Sequence, residues 1–159
     1  MSVAGASVSA MAIAWKLVVD CADPIRLAGF WAAALEYVPE DNSVLIERLL
    51  GFGAIGEADY AVVEGRKAFR ALAAVRHPGD PVDEQSGTGL GRRILFQAVP
   101  EPKRAKNRLH IDLHVGAETR DAEVKRLQGL GATLLAQVEA NGGAWVTMAD
   151  PEGNEFDVQ

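Results

Sequence analysis

The chain has 159 residues, of which 48% are hydrophobic and 24% charged, and these values are typical of one soluble globular domain with a real core. Its formal net charge of -6 argues against the basic surface that non-specific nucleic-acid binding requires, so we expect no nucleic-acid partner. The single cysteine excludes an internal disulfide and favours a reducing, cytoplasmic setting. No apolar run is long enough to cross a bilayer, so no membrane partner is expected.

The start of the chain predicts a tail, a strand and a helix. Residues 1–11 are small and weakly polar, lack the positive charge of a secretory signal, and are expected to be disordered. Apolar residues alternate over residues 13–19 and predict a buried strand with Trp15 in the core. A carboxylate followed by proline, at Asp23 and Pro24, predicts the start of a helix.

The rest of the first half predicts a second helix, three strands and a long loop. Ser43 is expected to cap the second helix, which ends at Gly51. Glycine, proline, aspartate and serine are concentrated before the last strand, and loops of this composition often border functional sites. The predicted elements are a helix at 43–50, strands at 60–64, 69–76 and 93–99, and a loop at 77–91.

The second half predicts the same order of elements, a strand and a helix followed by three strands. Gly131 is expected to cap the helix, and Asn141 followed by Gly142 is typical of a hairpin turn. Two such units in tandem imply a paired fold with a site where the two copies meet. The predicted elements are strands at 108–115, 132–137, 145–149 and 155–158, and a helix at 119–130.

The strand predicted at residues 108–115 carries three polar side chains that could do chemistry. Its sequence, RLHIDLHV, alternates, so that His110, Asp112 and His114 point to one face of the sheet. One interpretation is a half-buried strand whose polar face lies in water, which is the more common arrangement. The other places His110 inside a cavity, where imidazole is a common metal ligand and an acid or base near pH 7.

Three segments resemble the vicinal oxygen chelate superfamily, in the glyoxalase-like domain branch of the glyoxalase, bleomycin resistance and extradiol dioxygenase fold. They are the ending DPEGNEFDV after GGAWVTMA, the central PEPKRAKNRLHIDLHV, and VVDCADP near the start. The resemblance covers residues 12–159 and implies a single α+β domain, in which two tandem βαβββ modules form a cup-shaped mixed sheet. The modules are expected at 12–99, with an inserted helix and loop, and at 108–159, with a connector at 100–107.

In metal-using relatives, ligands come from the first and last strands of each module. Carried over by position, the resemblance places Lys16, Gln97, His110 and Asp157 there. Imidazole, amide oxygen and carboxylate suit one divalent ion such as Mn²⁺, Fe²⁺, Co²⁺, Ni²⁺ or Zn²⁺. Lys16 departs from the pattern, because a protonated amine has no lone pair for a metal. Either Lys16 turns away or loses its proton, or no metal binds and Lys16 contacts an anionic substrate.

Other side chains share the inferred cavity face. Asp112 or Asp20 is the candidate general base, and His114 joins Lys16 as a candidate substrate contact. Matching the first strand to RLHIDLHV pairs Lys16 with His110 and Asp20 with His114.

The resemblance implies a small-molecule enzyme in which a divalent metal binds adjacent oxygens of the substrate, with lyase, isomerase or dioxygenase-like chemistry. The alternative is a metal-free protein that binds or sequesters a small molecule or antibiotic, as bleomycin resistance proteins do. Lys16 favours the alternative, whereas His110 with Asp157 favours the enzyme. A homodimer is expected, because relatives often pair and small residues in the first helix would permit close contact. These residues are Ala28, Ala32, Ala33 and Ala34.

Overall fold

The computed structural model describes Ile13 and residues 15–159, so the tail predicted at residues 1–11 lies outside the described residues. The first half contains β1 (Leu17–Cys21), α1 (Pro24–Leu35), β2 (Val38–Pro39), α2 (Ser43–Gly51), a 3₁₀ turn (Glu57–Asp59), β3 (Tyr60–Val63), β4 (Arg66–Phe69), β5 (Leu72–Arg76) and β6 (Arg93–Ala98). The second half contains β7 (Asp112–Leu113), α3 (Arg120–Leu130), β8 (Thr133–Ala140), β9 (Gly143–Ala149) and β10 (Glu155–Val158).

Each half of the described chain builds a four-stranded sheet of mixed orientation. The first sheet has the order β1-β6-β5-β2 and the second the order β7-β10-β9-β8. In both sheets the first strand of the half runs parallel to its last strand, and the remaining pairs are antiparallel. This order confirms the predicted α+β fold of two βαβββ modules. Helix α2 and the β3–β4 hairpin are the insertion in the first module.

Helix α1 begins where its sequence predicts, and it ends at Leu35, before the proline at position 39 that would stop a helix. The Asp23 carboxylate accepts a hydrogen bond from the Arg26 amide at 3.1 Å, and Pro24 occupies the first helical position. The capping residue at this end is Glu36, whose φ of 55° lies in the left-handed region. Among the described residues, no helix is long and apolar enough to cross a membrane.

The two modules share one hydrophobic core. Phe96 and Phe156 lie on the backs of the two sheets with relative exposures of 0% and 1%. Trp31 of α1 reaches the second module, where its ring lies 5.2 Å from that of Phe156. Its indole Nε1 donates a hydrogen bond to the buried Asp150 carboxylate at 3.1 Å. Helix α3 contributes the fully buried Leu127 to the same core.

The first strand starts later than predicted, and two residues predicted to belong to it are exposed. Ile13 and Trp15 are 92% and 87% exposed, so the prediction that Trp15 is a core residue is wrong. Strand pairing starts at Leu17, opposite Ile94 of β6. The described residues before Leu17, namely Ile13, Trp15 and Lys16, have no strand partner. An alternating sequence without a partner does not make a buried strand.

Three further local predictions are wrong. The strand predicted at 108–115 forms a ladder only at Asp112–Leu113, and Leu109 is 80% exposed because the chain before Asp112 has no paired strand. Ser43 is the first residue of α2 rather than its cap, and its hydroxyl accepts a hydrogen bond from the Lys67 amide at 3.1 Å. The strand predicted at 69–76 is divided into β4 and β5, because the Arg70 amide bonds to the Asp59 carbonyl at 2.9 Å. The chain thus leaves the hairpin at this point and joins the first sheet.

The alanines of α1 do not form an exposed contact surface. Ala28, Ala32 and Ala34 are buried in the protein's own core, and only Ala33 of the four is exposed. The argument for a homodimer from close contact through these residues is therefore wrong. The homodimer itself stays a prediction.

Candidate metal centre

His110, Asp112 and Asp157 converge on the second sheet. The His110 Nδ1 atom lies 2.7 Å from Asp112 Oδ1 and 3.5 Å from Asp157 Oδ2. One potential ligand atom from each residue lies within 4.8 Å of the other two. The three side chains are 41%, 34% and 16% exposed, so the cluster is open to solvent on one side.

Strand register brings the two carboxylates together. Asp157 of β10 lies opposite Asp112 of β7 in the parallel ladder, and the Asp157 amide bonds to the Ile111 carbonyl at 3.0 Å. Along β10, the buried side chains of Phe156 and Val158 alternate with those that face the cluster. The alternation of RLHIDLHV and of the C-terminal strand is thus what places these acids on one face.

Each carboxylate also has a second hydrogen-bond partner. The Thr147 hydroxyl donates to Asp157 Oδ1 at 2.6 Å, and Gln159 Nε2 donates to Asp112 Oδ2 at 2.8 Å. Sequence reasoning missed both residues. The signal that identifies Thr147 is its position directly opposite Asp157 in the β9–β10 ladder, which depends on strand register.

The chemistry of these donors fits a divalent cation. Two carboxylates on adjacent strand positions repel one another unless a proton or a cation lies between them. One imidazole and two carboxylates make up the kind of mixed nitrogen and oxygen donor set that binds first-row divalent metals. His110, Asp112 and Asp157 could therefore bind one ion together.

Gln97 lies on the first sheet, away from the hydrogen bonds of this cluster. It is exposed and lies opposite Asp20 in the β1–β6 ladder. The hydrogen bonds and ion pairs that connect His110, Asp112 and Asp157 in the described part of the chain do not include the Gln97 side chain.

The ladders also correct the matching of the two halves. If Gln97 is matched to Asp157, the register places Asp20 at the position of Asp112, not of His114. The residue two positions before Asp20 on the same face is Val18, so Val18 rather than Lys16 corresponds to His110 in this register. A sequence match of two strands gives no information on the stagger between each strand and its neighbour.

Two cavities lie where the modules meet, and they bring the other predicted site residues near the cluster. The larger, of about 760 Å³, is lined by Lys16 and His114 together with Asp112. The smaller, of about 220 Å³, is lined by Asp20 together with His110. Each predicted substrate or base residue thus shares a cavity with one member of the cluster.

The larger cavity is lined by four cations, and three of them are paired. Glu40 binds the Arg93 guanidinium at 2.7 Å, Arg126 is paired with Glu123, and Arg92 with Asp80. Lys16 forms no ion pair with a residue that the structure describes. Its ammonium group is therefore the cation most available to an anionic ligand.

The basic connector between the modules is attached to the smaller cavity. Glu155, which faces this cavity, accepts a hydrogen bond from the Asn107 amide at 2.9 Å and pairs with Lys103 at 3.1 Å. The Asn107 amide and the Lys103 ammonium lower the pKa of Glu155 to about 2. This carboxylate is thus ionised at neutral pH and is engaged in binding the connector.

Paired βαβββ modules, together with a match to a glyoxalase-like sequence profile, define a protein of the vicinal oxygen chelate superfamily. The sequence profile of the glyoxalase-like domain matches residues 16–159. The chain belongs to this family.

Solved structures show the same fold at low sequence identity. A glyoxalase/bleomycin resistance protein/dioxygenase family enzyme from Burkholderia phytofirmans is 14% identical, with a TM-score of 0.54, over 90% of this chain and 94% of that one. A mutant of the fosfomycin resistance protein FosX from Listeria monocytogenes, complexed with Mn(II) and 1S,2S-dihydroxypropylphosphonic acid, is 11% identical, with a TM-score of 0.57, over 94% and 90%. The hypothetical protein SA1046 from S. aureus is 12% identical, with a TM-score of 0.53, over 93% and 96%. The search of curated proteins finds no match.

Proposed function

We propose that the protein is a divalent-metal-dependent enzyme of the vicinal oxygen chelate type that acts on a small molecule with adjacent oxygens. The observation that carries this proposal is the cluster of His110, Asp112 and Asp157, whose ligand atoms lie within 4.8 Å of one another. The Mn(II) in the structure of FosX, which has the same fold, supports it. The reaction class is lyase, isomerase or dioxygenase-like.

The metal would be bound by His110, Asp112 and Asp157. When bound, a divalent ion supplies a Lewis acid that stabilises negative charge on a substrate oxygen. The partial exposure of the three side chains leaves room beside them for a substrate. Asp112 thus serves as a ligand in this proposal, and Asp20 is the candidate general base, because it lines the cavity that His110 also lines.

The substrate would occupy the larger cavity. Its volume of about 760 Å³ lies in the range of cavities that enclose small organic ligands. Lys16 would contact an anionic group of the substrate, since its ammonium is unpaired among the described residues, and His114 would contribute a hydrogen bond. Asp112 also lines this cavity and would connect it to the metal.

Metal binding by the purified protein tests the proposal. The apoprotein is titrated with Mn²⁺ and the free ion is measured by electron paramagnetic resonance, with Fe²⁺, Co²⁺, Ni²⁺ and Zn²⁺ tested by calorimetry. We expect one bound ion per chain, and loss of binding in His110→Ala. His77→Ala is the matched control, because His77 lies in the 77–91 loop outside the cluster. A wild-type protein that binds none of these ions contradicts the proposal.

The alternative function is metal-free binding of an anionic small molecule, and the unpaired Lys16 beside a large cavity favours it. Under this alternative, ligand binding survives in His110→Ala and is lost in Lys16→Met. Under the metal-dependent proposal, both variants lose activity, but only His110→Ala loses the metal.

We expect the protein to form a homodimer in solution, as relatives often do. Sedimentation velocity at micromolar concentration measures this directly. A single species of 16.9 kDa would contradict the expectation.

A further inference from the structure

Thr147 and Gln159 each donate a hydrogen bond to one carboxylate oxygen of the cluster. The Thr147 hydroxyl binds Oδ1 of Asp157, and the Gln159 amide binds Oδ2 of Asp112. The other oxygen of each acid faces His110, at 3.5 Å for Asp157 Oδ2 and 2.7 Å for Asp112 Oδ1. Each acid therefore has one oxygen bound by a neutral donor and one turned toward the point that the three side chains share.

The backbone fixes the positions of both donors. Thr147 lies directly opposite Asp157 in the antiparallel β9–β10 ladder, where side chains on one face are close enough to pair. Gln159 follows β10, and both its main-chain nitrogen and its main-chain oxygen are hydrogen-bonded. Its main-chain N–H donates to the Leu113 carbonyl at 2.9 Å, and its main-chain oxygen accepts from the Val115 amide at 2.7 Å. Backbone hydrogen bonds thus set the main-chain positions of both donors.

We infer that Thr147 and Gln159 are positioning residues that orient Asp157 and Asp112 for metal binding. The inference rests on the proposed function and extends it to residues that need not touch the metal. A carboxylate that is free to rotate loses conformational entropy when it binds a metal, whereas one that is already bound at its far oxygen has lost most of that freedom. Hydrogen-bonded partners of metal ligands typically change metal affinity by roughly 10- to 100-fold.

A purely structural role for these residues makes a different prediction. If the two hydrogen bonds only stabilise the sheet, their removal lowers the resistance of the protein to urea and leaves metal affinity unchanged. If they position the carboxylates, metal affinity falls more than stability does. Measuring both quantities on the same variants separates the two roles.

The test uses Thr147→Val and Gln159→Met, which keep side-chain size and remove the donor. Titration of each apoprotein with Mn²⁺ is expected to show affinity reduced roughly 10- to 100-fold relative to wild type. Thr147→Ser restores a hydroxyl and is expected to recover most of the affinity. Matched controls on β8 of the same sheet are Thr133→Val and Gln137→Met, whose side chains are exposed and have no hydrogen bond to either acid.

The outcomes separate this inference from the proposed function. A wild-type protein that binds Mn²⁺, with Thr147→Val and Gln159→Met binding it equally well, overturns the inference and leaves the proposed function standing. A wild-type protein that binds no divalent metal contradicts both. If Thr147→Val does not fold, Thr147→Ala and Gln159→Met are measured in its place, and unchanged affinity in these folded variants also overturns the inference.

Discussion

The two sheets carry polar pairs at the same ladder position, but only the second sheet builds a network around its pair. In the first sheet Asp20 lies opposite Gln97, and in the second Asp112 lies opposite Asp157. The acids of the second sheet contact an imidazole, a hydroxyl and an amide. In the described part of the chain, the side chains of Asp20 and Gln97 have no comparable set of partners.

The cause of this difference is the identity of three neighbours. On the second sheet, the first neighbour lies two positions before Asp112. The second lies opposite Asp157, and the third lies two positions after Asp157. All three are polar, and all three matched residues on the first sheet are apolar. The matched pairs are His110 and Val18, Thr147 and Leu72, and Gln159 and Val99.

A duplicated backbone therefore does not imply a duplicated site. On the face of the first sheet that carries Asp20 and Gln97, the neighbouring side chains of Val18 and Leu72 are apolar and 40% and 37% exposed. Such a surface suits the hydrocarbon part of a ligand, whereas the second sheet suits its oxygens. The proposed site therefore has a more apolar wall from the first sheet and a more polar wall from the second.

We expect the strongest change in stability when the turn before the last strand of the second half loses its buried carboxylate. In the second half the buried Asp150 carboxylate accepts hydrogen bonds from Trp31 Nε1 at 3.1 Å and from the amides of Glu152 and Asn154 at 2.9 Å. Asp150→Ala leaves these donors without a partner, at about 1 to 3 kcal/mol for each buried group. We expect the free energy of unfolding in urea to fall by about 3 kcal/mol.

Asp80→Ala is the matched control in the first half. Asp80 accepts hydrogen bonds from the Arg92 amide at 2.6 Å and its guanidinium at 2.8 Å, ahead of β6. The Arg92 side chain is 62% exposed, so water can replace the lost acceptor. The loss should be clearly smaller than for Asp150→Ala. Equal decreases in the free energy of unfolding would mean that the two halves stabilise the turns before their last strands equally, which would contradict this expectation.

The Mn²⁺ affinities of two variants, one on each sheet, show whether the first sheet contributes a metal ligand. Asp157→Ala should lower Mn²⁺ affinity by more than roughly 100-fold, because outer partners of metal ligands alone contribute roughly 10- to 100-fold. Gln97→Ala should leave the affinity unchanged, since Gln97 lies outside the hydrogen bonds of the cluster. Calorimetric titration of the two apoproteins measures both values. A comparable loss in Gln97→Ala would restore Gln97 to the ligand set predicted from the sequence.

Much of the second sheet could be predicted from the sequence, because its signals are local. The alternation of RLHIDLHV places His110 and Asp112 on one face, and the family ending DPEGNEFDV places Asp157 on the last strand. The Asn141–Gly142 turn is also local and is confirmed, with φ of 53° and 77° at its two residues.

What could not be predicted depends on register and on partners distant in sequence. Thr147 is separated from Asp157 by ten positions, and nothing in the sequence of either strand sets which residues lie opposite. The same limitation explains the incorrect match of Asp20 to His114. The hydrophobicity of Trp15 fits a core strand, but the residue is exposed because pairing with β6 begins only at Leu17.

We expect a weaker change, in the pH dependence of stability, from a titratable residue whose matched position in the second half is apolar. Cys21 occupies the ladder position that Leu113 occupies in the second sheet. Burial, with the nearby carboxylate of Glu152, raises the pKa of the Cys21 thiol from 9.0 to about 12. Because its pKa is higher in the folded state, the thiol contributes stability that is fully present below pH 9 and is lost as the pH rises toward 12.

Urea unfolding of the wild type and of Cys21→Val at pH 8 and pH 10 isolates this contribution. The unfolded wild-type chain ionises its thiol at pH 10, so we expect wild type to lose about 1 kcal/mol more than Cys21→Val between the two pH values. Alkylation by iodoacetamide gives a second measurement, in which the folded wild type at pH 8 should react far more slowly than the unfolded chain. Equal pH dependence in the two proteins would mean that the thiol ionises as readily in the folded state as in the unfolded chain. The contribution of Cys21 to the free energy of unfolding would then not depend on pH, as is the case for Leu113 in the second sheet.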